Sequence, residues 1–210
     1  PKAVNYGQEA LKNSQNYGSV RLTGIITYSL GIVLSNSGQK IRALELFLKS
    51  LLAFEKSGQE TLLPFASDQV GELYFSIREY KKARDFYELA VSYYEKAKLD
   101  PTANQLKIQL AKVCRVSGEY ESALEYLDQA ELYFKNSQAY DEQLNFLIEY
   151  ERGLIYLMQN EYELAIEKLN YLPDTNGQTT NGMLVSVHSA LASAYLGLGH
   201  KGASRYHFLE

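Results

Sequence analysis

The sequence predicts an all-α protein built as a solenoid of antiparallel helix pairs. Three observations support this prediction: a repeat with a period of about 40 residues, apolar side chains at helical spacing, and turn residues where helices should end. The chain has 210 residues, of which 46% are hydrophobic and 22% charged, an ordinary composition for a globular protein. At this length a core can form without a metal ion or a disulfide.

Small residues that recur in register define the repeat. The first column of small residues has steps of 40, 40, 42 and 39 residues and consists of Gly31, Gly71, Ala111, Gly153 and Ala192. The second column lies twelve residues further on and consists of Ala43, Ala83, Ala123, Ala165 and Ser204. A small residue at a helix crossing lets two axes approach closely, and the residue three positions later, such as Tyr74, is expected to fill the space beside it. Each repeat is thus predicted to be two antiparallel helices.

The helix pairs are predicted to follow one another as a single array over 1–210, with about five repeats after a leading half repeat. Residues 2–17 match the second helix of a preceding repeat, because Ala3 lies 40 residues before Ala43. The repeats that follow are predicted at 19–58, 60–98, 101–137, 139–172 and 180–210. The turns between paired helices are expected at Ser37-Gly38, Arg78-Glu79, Ser117-Gly118, Asn160-Glu161 and Leu198-Gly199.

The array is interrupted near its end and at both termini. Pro173 is expected to end the second helix of the fourth repeat, and residues 173–182 to form a turn-rich loop. That loop is either a tolerated surface insertion or a hinge or functional loop. The chain begins and stops inside a repeat, which predicts a fragment of a longer protein. Whether Leu209-Glu210 is native or a cloning scar stays open.

These residues resemble the tetratricopeptide-repeat (TPR) family over almost the whole chain. The family's pattern of small and aromatic positions is fullest in the second repeat, as Gly71, Tyr74, Tyr80, Ala83, Tyr87 and Ala90. The bulky aromatic that is usual near the start of the first helix is replaced by Thr27, Ser67, Lys107, Glu149 and His188. The long period resembles that of repeats in adaptor and bacterial signalling proteins. The resemblance implies a right-handed superhelix whose first helices line a concave groove that binds proteins.

No pattern in the sequence predicts catalysis, a cofactor or a metal site. The only cysteine, Cys114, lies in the column of packing residues and is expected to be buried. Gly197, Gly199 and Gly202 match the dinucleotide-binding spacing, but they are expected in a helix–turn–helix without the required strand. The three histidines are separated by 12 and 7 residues, which does not place two on one helical turn as a metal site would. A noncatalytic protein is therefore expected.

Two further sets of residues are expected to serve structure. Glu149 with Glu151, and Glu161 with Glu163, alternate along helices, which predicts solvated faces rather than a cleft with converging carboxylates. Four tyrosines at helical spacing favour packing between helices over a cage for ligand stacking. They are Tyr87, Tyr93, Tyr94 and Tyr133.

Charge is segregated along the chain. Residues 1–118 carry 16 basic and 11 acidic side chains, whereas residues 119–168 carry 3 basic and 12 acidic ones. The acidic stretch is expected to attract a basic segment of a protein or to promote self-association, unless its charge serves solubility alone. The net charge of −4 argues against a nucleic-acid partner. No apolar run approaches the ~20 residues of a membrane span, so no membrane contact is expected.

The candidate groove is defined by positions around the first-column residues, on the first helix of each repeat. Its predicted lining residues are Tyr28, Ile32, Asp68, Glu72, Phe75, Ile108, Lys112, Arg115, Tyr150 and Leu154. These positions mix apolar, acidic and basic side chains, so an amphipathic helix or an extended peptide is the expected ligand. The Lys/Asn/Arg clamp of the chaperone-binding family members is missing, which argues against an adaptor for chaperone tails.

Two functions fit these features. The first is a noncatalytic module that binds a peptide or helical segment of a protein in this groove. The second is a domain that senses a ligand or partner within a larger bacterial signalling protein, such as a histidine kinase or a transcription regulator. Any enzymatic output would then reside in a flanking domain. A cytoplasmic location is favoured, and a periplasmic one stays open if the chain belongs to a membrane sensor.

Overall fold

Helices make up the regular structure in the computed structural model, which describes residues 2–137, 142–170 and 181–209. They are α1 (Lys2–Asn16), α2 (Val20–Asn36), α3 (Lys40–Lys56), α4 (Leu63–Ser76), α5 (Tyr80–Lys96), α6 (Asp100–Ser117), α7 (Tyr120–Asn136), α8 (Glu142–Met158), α9 (Tyr162–Leu169), α10 (Asn181–Gly197) and α11 (Lys201–Leu209). A short 3-10 helix, Glu60–Leu62, precedes α4. The described residues contain no strand, and the all-α prediction is confirmed.

Consecutive helices pair as the repeat predicts. α1 falls within the leading half repeat, and the later repeats correspond to α2 with α3, α4 with α5, α6 with α7, α8 with α9, and α10 with α11. The first, second, fourth and fifth of these pairs pack closely against each other. The predicted helix end at Pro173 lies outside the described residues. So does the loop at 173–182, apart from its last two residues, which begin α10.

The turns between paired helices place one residue in the left-handed region of backbone space. Gly38 has a φ of 79°, and the next amide, that of Gln39, donates to the Leu34 carbonyl at 2.9 Å and so closes the end of α2. Arg78 and Asn160 hold the equivalent turn positions with φ values of 65° and 63°. The predicted turns are therefore present, although two of them lack the glycine that this conformation favours.

The first-column glycines lie at helix crossings, as predicted, but the side chain that fills the crossing is a different one. A β-carbon on Gly71 would lie 2.7 Å from Cδ1 of Tyr87, and one on Gly31 would lie 2.8 Å from Cε1 of Phe47. Both partners lie sixteen residues later, on the second helix of the pair, rather than three residues later on the same helix, where Tyr74 was expected to pack. A side chain at these glycines would push the paired helices apart.

Local signals start several helices. The hydroxyl of Ser19 accepts a hydrogen bond from the Leu22 amide at 3.3 Å and caps α2. Pro64 stands in the first turn of α4, where an amide hydrogen would have no partner within the helix. Asp100 and Pro101 begin α6 and place an acidic side chain and a residue of fixed φ in its first turn.

The chain divides into two compact units, residues 1–106 and residues 107–210, and the boundary falls within α6. The first unit has a core around Phe47, built by apolar side chains of α2 to α5. The second unit has one cluster that joins α6, α7 and α8 and another around Leu169 that joins α8, α9 and α10. Cys114 is fully buried in the former cluster, as predicted.

Candidate functional site

In the first unit, the predicted groove residues lie on α2 and α4, the first helices of two neighbouring repeats. Tyr28, Ile32 and Phe75 are half-buried, so part of each side chain remains accessible to a ligand. Asp68 is also half-buried, and Glu72, one turn further along α4, is exposed. We call these residues the α2–α4 set. They combine apolar contact area with two carboxylates, which is a pattern that binding sites for peptides use.

Tyrosine hydroxyls surround the carboxylates of this set. Tyr87 of α5 donates its hydroxyl hydrogen to Oε2 of Glu72 at 2.8 Å. Burial raises the pKa of Tyr28 and of Tyr94, and the nearby charge of Asp68 raises both further. The two hydroxyls therefore stay protonated at neutral pH and remain hydrogen-bond donors.

Burial raises the pKa of the Asp68 carboxyl to about 6, and the charge of Glu72 adds to the shift. Within residues 2–137, 142–170 and 181–209, neither carboxylate forms an ion pair. Two acidic groups thus lie side by side, next to apolar surface, without a cation from the protein. This arrangement suits a ligand that brings a positive charge or several hydrogen-bond donors.

In the second unit, the predicted groove residues lie on α6 and α8. Tyr150 and Leu154 are half-buried against the cluster of α8, α9 and α10, and the ring of Tyr150 stacks on that of Phe146 with 6.1 Å between centroids. Lys112 is half-buried as well. Ile108 is only 4% exposed and belongs to the cluster of α6, α7 and α8, so it offers a ligand little surface.

The structure corrects the expectation that Arg115 presents a positive charge to a ligand. Its Nε donates to Oε2 of Glu151 at 2.7 Å, and both side chains are at most 10% exposed. Removing either partner of such a buried pair leaves the other charge without a counter-ion, which is strongly destabilising. Arg115 therefore joins α6 to α8 within the second unit.

A network of ion pairs neutralises part of the acidic stretch. Arg152 contacts three carboxylate oxygens: Glu149 Oε1 at 2.6 Å, Asp128 Oδ1 at 2.5 Å and Glu131 Oε2 at 2.7 Å. Burial alone would lower the pKa of Arg152, but its hydrogen bonds with these carboxylates raise it, so the guanidinium stays charged. Lys168 of α9 adds a further ion pair to Glu149, at 3.2 Å. The network ties α7, α8 and α9 together.

This network shows that the interpretation of Glu149 and Glu151 as solvated residues is wrong. They are 9% and 7% exposed, whereas Glu161 and Glu163 are exposed as predicted. Residues two apart on a helix point in different directions, so the first carboxylate meets the cation of α9 and the second meets the cation of α6. The surface charge of the acidic stretch is smaller than its composition suggests.

The glycines and histidines singled out in the sequence lie in α10, α11 and the turn between them. Gly197 ends α10 and Gly199 has a φ of 77° in the turn, so the expected helix–turn–helix context is confirmed. His188 and His207 meet across the two helices, with 3.0 Å between their Nδ1 atoms, a contact that spacing along one helix does not predict. Among the described residues, no three metal-ligating side chains form a group that could hold a metal ion. No helix described here has the length and apolar character of a membrane span.

The sequence analysis missed two central residues: Tyr87, which donates a hydrogen bond to Glu72, and Arg152, which lies at the centre of the ion-pair network. A signal for Tyr87 exists, because it lies sixteen residues after the small residue Gly71, in the column that fills the helix crossing. A signal for Arg152 exists too, since the column one residue before the small one is otherwise apolar. Its other members are Leu30, Val70, Leu110 and Leu191. A lone charge in an apolar column predicts a buried ion pair.

Sequence comparison finds a curated relative that matches part of the chain, and no protein-family model matches. Response regulator aspartate phosphatase I of Bacillus subtilis (strain 168) is 35% identical to this chain over 101 residues. The match covers 46% of this chain and 25% of the relative, so the two share about a quarter of that protein's length.

Structure comparison finds the same fold in several solved proteins. The apo form of RapI matches with a TM-score of 0.68 and 24% identity, over 98% of this chain and 73% of its own. The apo form of the quorum sensor NprR from B. thuringiensis matches with a TM-score of 0.73 and 16% identity, over 98% and 58%. YrrB, described as a TPR protein with an unusual peptide-binding site, matches with a TM-score of 0.56 and 18% identity, over 94% and 88%. Similarity at these identities establishes the fold.

Proposed function

We propose that this chain, which has the fold of tetratricopeptide-repeat proteins, binds a peptide or helical segment of a partner protein and is not itself an enzyme. The observation that carries the proposal is the α2–α4 set, where half-buried apolar side chains share two neighbouring helices with two carboxylates that form no ion pair among the described residues. The description of YrrB as a protein with a peptide-binding site supports the same class of function.

In the first unit, the apolar side chains of Ile32 and Phe75 would anchor the ligand. Asp68 and Glu72 would accept hydrogen bonds from its backbone amides or pair with a basic side chain. A ligand with basic residues is favoured, because no cation in the described part of the chain pairs with these two carboxylates.

In the second unit, Tyr150 and Leu154 would supply the apolar anchors, since both are half-buried on the first helix of their repeat. Arg115 would act indirectly, because its guanidinium pairs with Glu151 and keeps α8 beside α6. The acidic stretch at 119–168 would add a weaker attraction for a basic segment or for a second copy of the chain. Light scattering over a concentration series tests self-association: a monomer throughout contradicts it.

The test of the binding proposal is a selection from a random peptide library against the full chain, followed by fluorescence anisotropy on the enriched peptides. Phe75→Ala and Tyr150→Ala are expected to weaken binding by more than about fivefold, which corresponds to about 1 kcal/mol per anchor. Leu52→Ala and Leu132→Ala serve as matched controls, because these side chains are 58% and 63% exposed on second helices. The proposal would be contradicted by peptides that bind Phe75→Ala and Tyr150→Ala as tightly as the unchanged chain but bind the two leucine controls more weakly.

A second candidate function is a partner-sensing cytoplasmic domain within a larger bacterial signalling protein. The observation that favours it is the 35% identity to a response regulator aspartate phosphatase over 101 residues, together with the fold shared with a quorum sensor. The gene sequence on either side of this segment tests it. An output domain in the same reading frame supports sensing, whereas stop codons close to both ends support a free binding module.

A further inference from the structure

A cavity of about 530 Å³ opens between the C-terminal end of α3, the turn before α4 and the C-terminal end of α5. Phe54 and Leu63, which are 1% and 6% exposed, contribute apolar walls. Tyr93 lines it as well, together with the carboxylates of Glu55 and Glu60. We call it the Tyr93 cavity. It lies within the first unit and shares no residue with the α2–α4 set.

The charges around the Tyr93 cavity favour a positively charged ligand. Burial raises the pKa of Tyr93, and the charges of Glu55 and Glu60 raise it further, so both carboxylates lie near the same hydroxyl. The C-terminal ends of α3 and α5 border the cavity, and the carbonyl groups at a helix C-terminus carry partial negative charge.

The protein already places one cation on the aromatic wall. Nζ of Lys96 lies 5.7 Å from the centroid of the Tyr93 ring, which is within the range of a cation–π contact. Lys96 is exposed and opposes two carboxylates with a single charge, so the lining keeps an excess of negative charge. A ligand cation would therefore compete with Lys96 for the ring and gain the carboxylates in addition.

We propose that the Tyr93 cavity binds an arginine or lysine side chain presented by a peptide. The aliphatic part of that side chain would lie against the half-buried ring of Tyr93, above the buried side chains of Phe54 and Leu63, and its charged end would lie between Glu55 and Glu60. The cavity is lined by the C-terminal ends of α3 and α5 and by the start of α4, and it shares no lining residue with the α2–α4 set, so variants at Glu55 and Glu60 test it separately from the function proposed above.

Amide NMR on the full chain tests the site, with an acetylated Gly-Gly-Arg-Gly-Gly amide as the probe and the same peptide with citrulline in place of arginine as the neutral comparison. The arginine peptide is expected to shift the amide signals of Thr61 and Ala97, which line the cavity, and to bind at least about fivefold more tightly than the citrulline peptide. Equal affinity of the two peptides, or shifts confined to other parts of the chain, overturns the proposal.

Variants of exposed lining residues test how the charge of the cavity changes its affinity for the arginine peptide, without disturbing the core. Glu55→Gln and Glu60→Gln are each expected to weaken the arginine peptide about threefold or more, and Lys96→Met to tighten it by a similar factor. Glu45→Gln, an exposed carboxylate on α3 outside the cavity, is the matched control and should change nothing. Weaker binding of the arginine peptide to Lys96→Met would mean that Lys96 does not compete with the ligand cation, and would overturn the proposal.

A free amine separates a peptide site from a site for small cations. Agmatine carries the guanidinium group and the aliphatic stem without a peptide backbone. The peptide is expected to bind more tightly than agmatine, because the backbone adds contacts at the rim of the cavity. Tighter binding of agmatine would assign the cavity to small amines and contradict a peptide ligand.

Discussion

The two units of the chain differ in how they hold the carboxylates that are withdrawn from solvent. In the first unit, Asp68 is half-buried beside Glu72 without an ion pair, and its pKa rises to about 6. In the second unit, Glu151 is buried against Arg115, and Arg152 forms ion pairs with three more carboxylates. The protein's own cations thus offset part of the negative charge in the acidic part of the sequence.

The net charge of a segment is therefore a poor guide to where a charged ligand binds. Residues 119–168 carry 12 acidic side chains against 3 basic ones, yet all three of those cations are held in ion pairs by carboxylates. Asp68 and Glu72 lie in the half with excess positive charge, but none of the cations that the structure describes there forms an ion pair with either carboxylate. A carboxylate without a cationic partner in the protein, rather than a high count of carboxylates, indicates a site for a basic ligand.

The largest effect is expected from removing the central cation of the second unit. Arg152→Leu leaves Glu149 buried with fewer counter-charges and should lower the free energy of unfolding by about 3 kcal/mol or more. Urea unfolding at neutral pH measures this. Lys135→Ala is the control, because this lysine is 58% exposed and its ion pair should contribute less than about 1 kcal/mol. Similar losses in the two variants would contradict a buried network.

Neutralising the Asp68 carboxylate of the first unit should raise the free energy of unfolding rather than lower it. The pKa of Asp68 in the folded protein is about 6, which lies above the ordinary value of 3.8. The fold therefore favours the protonated form of Asp68. Its contribution to stability is fully present below pH 3.8 and is lost as the pH rises through 6. Asp68→Asn is therefore expected to raise the free energy of unfolding by about 1 to 2 kcal/mol at pH 7 and to leave it unchanged near pH 4. Urea unfolding at several pH values measures this.

The matched control for that substitution is Glu45→Gln, at an exposed carboxylate on α3. The second unit supplies a contrast, because hydrogen bonds from Arg152 and Lys135 outweigh burial and lower the pKa of Glu131. Its stabilising contribution is present above the ordinary pKa of 4.5 and is lost as the pH falls. A loss of stability in Asp68→Asn at pH 7 would mean that the charged form of Asp68 has a partner in the first unit.

Substitutions at the helix crossings should destabilise the two units to a similar extent, because in both units a glycine packs directly against a side chain of the paired helix. A β-carbon at Gly71 would lie 2.7 Å from Tyr87, and one at Gly153 would lie 2.6 Å from Leu169. Alanine at either glycine should lower the free energy of unfolding by about 1 to 2 kcal/mol, since overpacking outweighs the gain in helix propensity. Gly202→Ala is the control, because no atom lies within 4 Å of its added β-carbon. A loss in one unit alone would show that only that crossing is tightly packed.

The smallest difference is expected in the turns. Arg78 and Asn160 adopt φ values of 65° and 63° in equivalent turns, one in each unit. Arg78→Gly should raise the free energy of unfolding by about 1 kcal/mol, whereas Asn160→Gly should gain less, because asparagine tolerates this conformation better than arginine does. Thermal unfolding of both variants measures the difference. Arg78→Ala, which keeps a β-carbon, should bring no such gain, and an equal gain would mean that strain is not the cause.

The fold could be predicted from the sequence because its signals are local. Small residues recur at a period near 40, and the residue types at positions such as Gly38 mark the turns, so the helix pairs follow from patterns within about one repeat. The burial of Cys114 followed in the same way, from its place in a column of packing residues.

The polar groups could be predicted only in part, because their partners come from distant positions. Arg115 and Glu151 are 36 residues apart and meet only after α6 and α8 have packed. The hydrogen bond between Tyr87 and Glu72 joins two helices in the same way. Periodicity places each residue on a face of its own helix, but the pairing of charges depends on which faces meet. Each residue of the α2–α4 set was predicted as a groove residue from its position on its own helix. The tyrosines near the two carboxylates, Tyr87 and Tyr94, were not predicted there.

The pKa of the Asp68 side chain tests most directly whether the first unit holds a carboxylate pair without an internal cation. Carbon-13 NMR can follow the carboxyl signal of Asp68 through a pH titration of the full chain, with Asp68→Asn to assign it. A midpoint near 6 is predicted, since burial and the charge of Glu72 both disfavour ionisation. A midpoint at or below the ordinary 3.8 would mean that a cation of the protein already neutralises this carboxylate, and would contradict the proposed binding site.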